Sequence, residues 1–324
     1  ALHKQGELDK AEEIYREVLA VDRNNLDALR FLGYLYRLQK LFDKGIPLLE
    51  KAVSIYPDDK DSLFGLANSY CDSMQYQKAI EAYEHCLKQQ PVFAEALMGM
   101  GRSLFGIGRF DESRSALLKA TKINPRLSMA WFNLGNVFKV QEDFDGAIGC
   151  YRKAIELKPA FADAHLNLGN VFKERSDSEE AIKNYRKAIE LMPEPFSAYL
   201  NLGNIFRELG DIEEAKNNYQ KAIEVRPDFE DTYLNLGLLL KEEGKIEEAI
   251  SCYRKAIDLK PEFVKALCDL ASLLSKQGEY KEAITLYQRA LEKDSKDGDA
   301  RAGLGWTFLK SLKHKEALDY YSSL

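Results

Sequence analysis

Seven of the nine prolines in the 324-residue chain, Pro57, Pro91, Pro125, Pro159, Pro193, Pro227 and Pro261, follow one another at 34-residue intervals. A fixed period of that length is the mark of a repeat architecture rather than of globular domains. The chain lies in 34-residue rows without insertion or deletion: eight full rows span 26–297, a partial one precedes them at 1–25, and a truncated one closes at 298–324. Three further positions keep the same register. The eighth is small (Gly33, Ala67, Gly101, Gly135, Gly169, Gly203, Gly237, Ala271, Gly305) and so is the twentieth (Ala11, Gly45, Ala79, Ser113, Ala147, Ala181, Ala215, Ala249, Ala283, Ala317). The twenty-fourth is large, mostly tyrosine, as at Tyr83, Tyr151, Tyr185, Tyr219 and Tyr253.

Each row predicts two antiparallel amphipathic helices, A then B. In the fifth, Ala164, Leu168, Val171 and Phe172 fall at helical spacing. After a polar break Ala181, Ile182, Tyr185, Ala188 and Ile189 do so again. Small Gly169 and Ala181 let the helices approach, and Tyr185 and Phe172 fill the space left. Proline at position 32 ends helix B, because it lacks an N–H and disfavours helix in its predecessor. Pro47 is expected near the first turn of its B helix, where the missing N–H costs little. A lone pair cannot bury both apolar faces, so the rows must stack. The expected fold is all-α: one α-solenoid over 1–324, a right-handed superhelix with A helices lining an inner groove. On these four recurring positions the chain resembles the tetratricopeptide repeat (TPR).

Composition narrows the function. At 45% hydrophobic and 30% charged residues the chain is a folded protein, with no apolar run long enough to span a membrane. A net charge of −6, from 46 basic and 52 acidic residues spread along the sequence, gives no nucleic-acid footprint. Five cysteines form no C-x-x-C pair, and no N-x-[ST] acceptor is present. Both points favour a reducing intracellular, cytoplasmic setting. The first residues, Ala1 to Gly6, are no signal peptide and open inside a repeat, and no polar helix caps the last row. The expectation is a section of a longer protein.

No constellation for catalysis, metal or cofactor is found. The histidines His3, His85, His165 and His314 occupy unrelated repeat positions, and His165 stands where sister rows carry Trp131, Tyr199 and Tyr233, so it reads as a packing residue. Gly99-Met-Gly101 lies mid-helix and lacks the lysine and serine of a phosphate-binding loop. Cys86 replaces a core alanine, and Cys150 and Cys252 share one B-helix position. Glu179-Glu180 opens a helix, where carboxylates are favoured. The segment reads as non-enzymatic.

The residues expected to face the groove carry the functional signal. Position 6 of helix A holds Asn133, Asn167, Asn201 and Asn235, and position 9 holds Asn136, Asn170 and Asn204. Position 12 holds Lys139, Lys173, Arg207 and Lys241, position 13 holds Glu174, Glu208 and Glu242, and position 5 is apolar from Phe64 to Leu234. An amide both donates and accepts, so a ladder of asparagines can hold the backbone of an extended or disordered segment without dictating its sequence. The same residues have a packing explanation: position-9 amides bonding between helices, position-5 groups partly buried, and lysine–glutamate neighbours forming a solvated face. The pairs Arg152–Glu156 and Arg186–Glu190 on helix B imply no partner.

The phrases N-L-G-N-V-F-K at 133–139 and 167–173, and N-L-G-N-I-F-R at 201–207, are similar to the superhelix of O-linked N-acetylglucosamine transferase. That resemblance implies that Asn133, Asn167, Asn201 and Asn235 hold a substrate peptide backbone. Phe31, Gly65 and Gly99 depart from the pattern, and no transferase domain lies within the 324 residues. The carboxylate clamp of chaperone co-factors is missing, since Arg30 is followed by Tyr34 and Lys265 by Asp269. The leading expectation is a protein–protein interaction scaffold gripping an extended segment. A substrate-recognition arm of a glycosyltransferase and an architectural strut are the alternatives, and a homo-oligomer is left open.

Overall fold

The computed structural model describes residues 8–311, and His3, His314, Ala317 and Tyr321 lie outside them. The described residues hold eighteen α-helices and no strand. They fall into two compact units that divide between Arg175 and Ser176. The first contains α1 (Leu8–Val21), α2 (Leu26–Leu38), α3 (Phe42–Ile55), α4 (Lys60–Asp72), α5 (Tyr76–Gln89), α6 (Ala94–Gly106), α7 (Phe110–Ile123), α8 (Ser128–Val140), α9 (Phe144–Leu157) and α10 (Ala162–Glu174). The second contains α11 (Ser178–Leu191), α12 (Phe196–Glu208), α13 (Ile212–Val225), α14 (Glu230–Glu242), α15 (Ile246–Leu259), α16 (Val264–Gln277), α17 (Tyr280–Lys293) and α18 (Gly298–Lys310). From α2 on, even-numbered helices are A and odd-numbered helices B. Each unit is a solenoid of stacked antiparallel pairs.

The turn from A to B is built the same way throughout. Position 15 is left-handed in Lys40, Met74, Gly108, Glu142, Ser176, Gly210, Gly244 and Gly278, with φ between 59° and 89°. The next N–H reaches back to the carbonyl at position 11, as from Asp143 to Phe138 and from Asp211 to Phe206, both 2.9 Å. The position-15 N–H meets the carbonyl at position 12, as from Glu142 to Lys139 at 3.1 Å. This is a Schellman motif, which satisfies the otherwise orphaned last carbonyls of helix A. Asp143, Asp177 and Asp211 then cap helix B by accepting from the N–H three residues on.

Helix B ends at position 30, two residues ahead of the proline. It ends there also at Lys293, where the repeat carries Ser295 instead, so the proline reinforces a stop that the repeat makes without it. Pro47 is placed differently from expectation. It is the sixth residue of α3, in the second turn rather than near the first, so the bond to the Asp43 carbonyl is lost while the helix runs on to Ile55.

The core is the small-against-large register read from the sequence. A Cβ added to Gly135, Gly203 or Gly237 would sit 2.5–2.7 Å from the ring of Tyr151, Tyr219 or Tyr253. At Gly33 and Gly101 it would meet Leu49 and Leu117 at 2.6 Å. These five large side chains are fully buried, as are Ala147, Ala215 and Ala249 opposite them. Consecutive A helices approach one another within each unit, α2 with α4 and on to α10, α12 with α14, and α16 with α18. Consecutive B helices approach less, which puts the A helices on the concave side of each unit.

Candidate peptide-binding face

The asparagines of positions 6 and 9 form a repeated device. In the first unit Tyr151 Oη donates to Asn136 Oδ1 at 2.7 Å, and Asn167 Nδ2 donates to the same oxygen at 2.9 Å. In the second, Tyr219 Oη and Asn235 Nδ2 donate to Asn204 Oδ1 at 2.8 and 3.2 Å. One amide oxygen thus ties helix B of a repeat, helix A of the same repeat and helix A of the next. The bond fixes which end of the Asn136 and Asn204 amides meets the neighbouring helices, and it directs one N–H of Asn167 and one of Asn235. Asn167 Oδ1 and Asn235 Oδ1 take no part in the bridge. Asn170 and Asn201 occupy the same repeat positions on α10 and α12. All seven asparagines are half-buried.

Asn68, which the sequence reading passed over, belongs to this set. Its Oδ1 accepts from Tyr83 Oη at 2.6 Å, and Gly99 takes the place of the next amide, since a Cβ there would lie 2.3 Å from the tyrosine hydroxyl. The signal was an asparagine at position 9 paired with a tyrosine at position 24. Where that pairing fails, polar atoms are stranded. Repeat 3 has Arg102 at position 9, whose guanidinium turns to Cys71 Sγ at 3.0 Å and to Asp72, and the buried Nδ2 of Asn133 is left without a partner. Repeat 7 has Leu238 there, and the Tyr253 hydroxyl is likewise unpartnered. Burial pushes the Tyr151 and Tyr253 phenols well above their ordinary range and Tyr219 up to about 12.

The neighbouring positions divide. Lys139, Lys173, Arg207 and Lys241 are half-buried on α8, α10, α12 and α14, and Lys241 Nζ lies 2.7 Å from Asp269 of the following repeat. Glu174, Glu208 and Glu242 are exposed. At position 5 the aromatic groups belong largely to the core: Phe132 packs on Tyr151 and Phe161, and Phe64 on Tyr83 and Phe93. Leu234 is 3% exposed. Between α16 and α18 the concave side opens into a cavity of about 810 Å³ lined by Asp269, Asp297 and Asp299 beside Lys265.

His165, Cys86, Cys150 and Cys268 are packing residues. His165 Nε2 lies 3.3 Å from the Pro159 carbonyl, as Trp131 Nε1 lies 2.9 Å from that of Pro125 and Tyr233 Oη 3.0 Å from that of Pro227. Burial pushes the Cys86 thiol up to about 11, and burial with nearby carboxylates pushes Cys150 and Cys268 up to about 12, so these sulfurs stay protonated. Among the described residues no three His, Cys, Asp or Glu side chains are grouped to hold a metal ion, and no helix is long and apolar enough to cross a membrane.

A family model described as the cilia and flagella-associated protein 70 C-terminal domain matches residues 128–322. A model of anaphase-promoting complex, cyclosome, subunit 3 matches 39–120, and a tetratricopeptide-repeat model matches 1–60. No curated protein matches. Among solved structures, the C-terminal part of a TPR repeat-containing protein from Cytophaga hutchinsonii is 16% identical with a TM-score of 0.62, covering 74% of this chain and 99% of that one. The APC/C hetero-tetramer Cut9–Hcn1 is 18% identical with a TM-score of 0.57, covering 94% and 59%. YrrB, described as a TPR protein with an unusual peptide-binding site, is 22% identical with a TM-score of 0.51, covering 58% and 97%. At these identities the likeness is one of fold.

Proposed function

We propose that this chain, which belongs to the tetratricopeptide-repeat family of the cilia and flagella-associated protein 70 C-terminal domain, is a non-enzymatic scaffold that holds an extended segment of another protein on the concave face of its A helices. The observation that carries the reading is the paired amide bridge, Asn136 with Asn167 and Asn204 with Asn235. An amide whose orientation is already fixed loses little freedom when a ligand binds, and preorganisation of that kind is what converts polar contacts into affinity. The position-6 amides supply the contact: Asn167 and Asn235 each keep a carbonyl oxygen and one N–H outside the bridge, a match for a peptide group. The position-9 amides position them. The half-buried cations at position 12 flank this row and favour a segment with acidic residues.

Backbone recognition has a specific test. Linear peptides selected against the full chain from a phage-displayed random library are measured by fluorescence anisotropy against the parent protein and against N133A/N167A and N201A/N235A variants. Loss of about tenfold or more in affinity is expected from the variants. N-methylation of peptide backbone amides is expected to cost more than alanine replacement of most peptide side chains. Unchanged affinity in both double variants overturns the reading.

A second reading, the substrate-recognition arm of an O-linked N-acetylglucosamine transferase-like enzyme, is favoured by the N-L-G-N-V-F-K phrases at 133–139 and 167–173. It requires a transferase domain on the same polypeptide, which the full transcript reveals or denies.

A further inference from the structure

The B-helix side of the first unit carries a groove that the concave-face reading does not use. It runs between α5 and α7, with Leu97, Met100 and Leu104 of α6 as its floor and Leu87 and Ala116 as its walls. Its larger part has a volume of about 510 Å³ and continues into a smaller part of about 190 Å³ that shares Leu97 and Met100. Leu97 and Leu104 are buried, and Met100 is half-buried.

The local sequence explains the opening. The A helices of the other repeats in this unit place an aromatic ring at position 4 or 11: Tyr36, Tyr70, Trp131 with Phe138, and Phe172. In α6 both positions are leucine. The second unit also has leucine at both positions in α16, Leu267 and Leu274, with Leu270 where α6 has Met100, and all three are buried. There Leu286 of α17 stands where α7 has Ala116, and Arg254 on α15 reaches Glu282 on α17 at 3.2 Å across the gap. The two positions of that bridge are Glu84 and Glu112 in α5 and α7, like charges that cannot close it. Glu112 pairs instead with Arg109 of its own turn.

Lys88, Lys119 and Lys122 rim the larger part of the groove, all exposed, on a chain whose net charge is −6. We infer that this groove is a second docking site, which takes an amphipathic segment of a partner protein whose apolar side chains fill the floor and whose acidic residues meet Lys88, Lys119 and Lys122. Spacing of apolar residues at i, i+3/i+4 and i+7 suits an occupant lying along two helices. The lysines give such a segment its direction, since its acidic end is drawn to the end of the groove where α5 and α7 terminate.

The test uses the full 324-residue chain and two fluorescein-labelled peptides of about eighteen residues. Both carry leucine and phenylalanine at helical spacing, with glutamate at every other position in one and lysine in the other. Saturable binding of the glutamate peptide, weaker binding of the lysine peptide and competition only by the former are expected. L97W places at position 4 the side chain that Trp131 provides in the next repeat, with the Pro91 carbonyl available to its indole N–H, and should reduce affinity about tenfold or more. K119E/K122E leaves the floor intact and should weaken the glutamate peptide while strengthening the lysine one. N167A, on the opposite face, should leave both unchanged, so failure here is distinct from failure of the concave-face reading. Equal binding of the two peptides, indifference to both groove variants, or loss through N167A overturns the proposal. So does a concentration-dependent dimer in light scattering that L97W abolishes, which would assign the groove to a second copy.

Discussion

Asn136 and Asn133 are one turn apart on α8 and differ in what their removal does. Asn136 Oδ1 accepts two hydrogen bonds, from Tyr151 and Asn167. In N136A both donors lose their acceptor in a half-buried setting, at a cost of about 1–3 kcal/mol. Asn133 Nδ2 is already buried without a partner because Arg102 stands where an asparagine would accept it. N133A should therefore be neutral or slightly stabilising. Urea unfolding of the two variants beside the parent checks the contrast, and equal losses would refute it. Sequence spacing alone put both residues on the groove face, with a bond between helices as the other reading of position 9. What separates them is the residue at position 9 of the repeat before, a relation between rows that reading down a column of equivalent positions hides. Asn68 was passed over for the same reason: its row lacks the position-6 asparagine that drew attention to the others.

At the scale of the helix pair, most of the architecture was legible. The proline period, the small residues at positions 8 and 20 and the tyrosine at 24 locate both helices, because each reflects a steric requirement that few residue types meet. The A-to-B turn was not legible. Position 15 is left-handed in every repeat described, yet only four of eight residues there are glycine, so no column of glycines announces it. Lys40, Met74, Glu142 and Ser176 carry the strain of φ near 60°, worth about 1–2 kcal/mol per residue for an L side chain. Glycine relieves it at a position where backbone freedom in the unfolded chain costs about 1 kcal/mol in return. M74G and E142G are expected to hold or raise the thermal midpoint, whereas M74V, β-branched at the same φ, should lower it by several degrees, roughly 1–2 kcal/mol. Circular-dichroism melts of the three variants test the assignment. Pro47 shows the reverse case. A residue that sequence rules confine to a helix start sits exposed in the second turn of α3, and burial of Ile46, Leu49 and Ala52 holds the helix despite the lost backbone bond.

Across the whole chain, repetition turns a small perturbation into a large one. Burial pushes Tyr219 and Tyr287 up to about 12, and it drives Tyr83, Tyr151 and Tyr253 upward as well. Cys86 and Cys252 are raised to about 11, and Cys150 and Cys268 to about 12. In the unfolded chain the thiols lose their protons at about 8.5 and the phenols at about 10. Above those values the unfolded state sheds protons that the folded state keeps, so stability is full below pH 8 and is lost as pH climbs towards 12. Each group contributes up to about 1.4 kcal/mol per pH unit within its window. The urea midpoint should hold between pH 6 and 8 and fall steeply from about pH 10, with the buried tyrosines' share of the tyrosinate absorbance near 295 nm rising only as structure is lost. Ionisation of all the tyrosines before unfolding would contradict the burial that places Tyr151, Tyr219 and Tyr253 against Gly135, Gly203 and Gly237.

The shared amide oxygen also has a mechanical meaning. A stack of helix pairs lengthens under load by hinging where one repeat meets the next, and Asn136 and Asn204 are rivets through that hinge. The joint from repeat 3 to repeat 4 has no such rivet, since Arg102 and Leu117 replace the asparagine and the tyrosine. The joint from repeat 7 to repeat 8 lacks it too, because Leu238 cannot accept from Tyr253. Each unit is thus a spring of uneven stiffness, and stretching in an optical trap should open these two joints before the ones that Asn136 and Asn204 rivet.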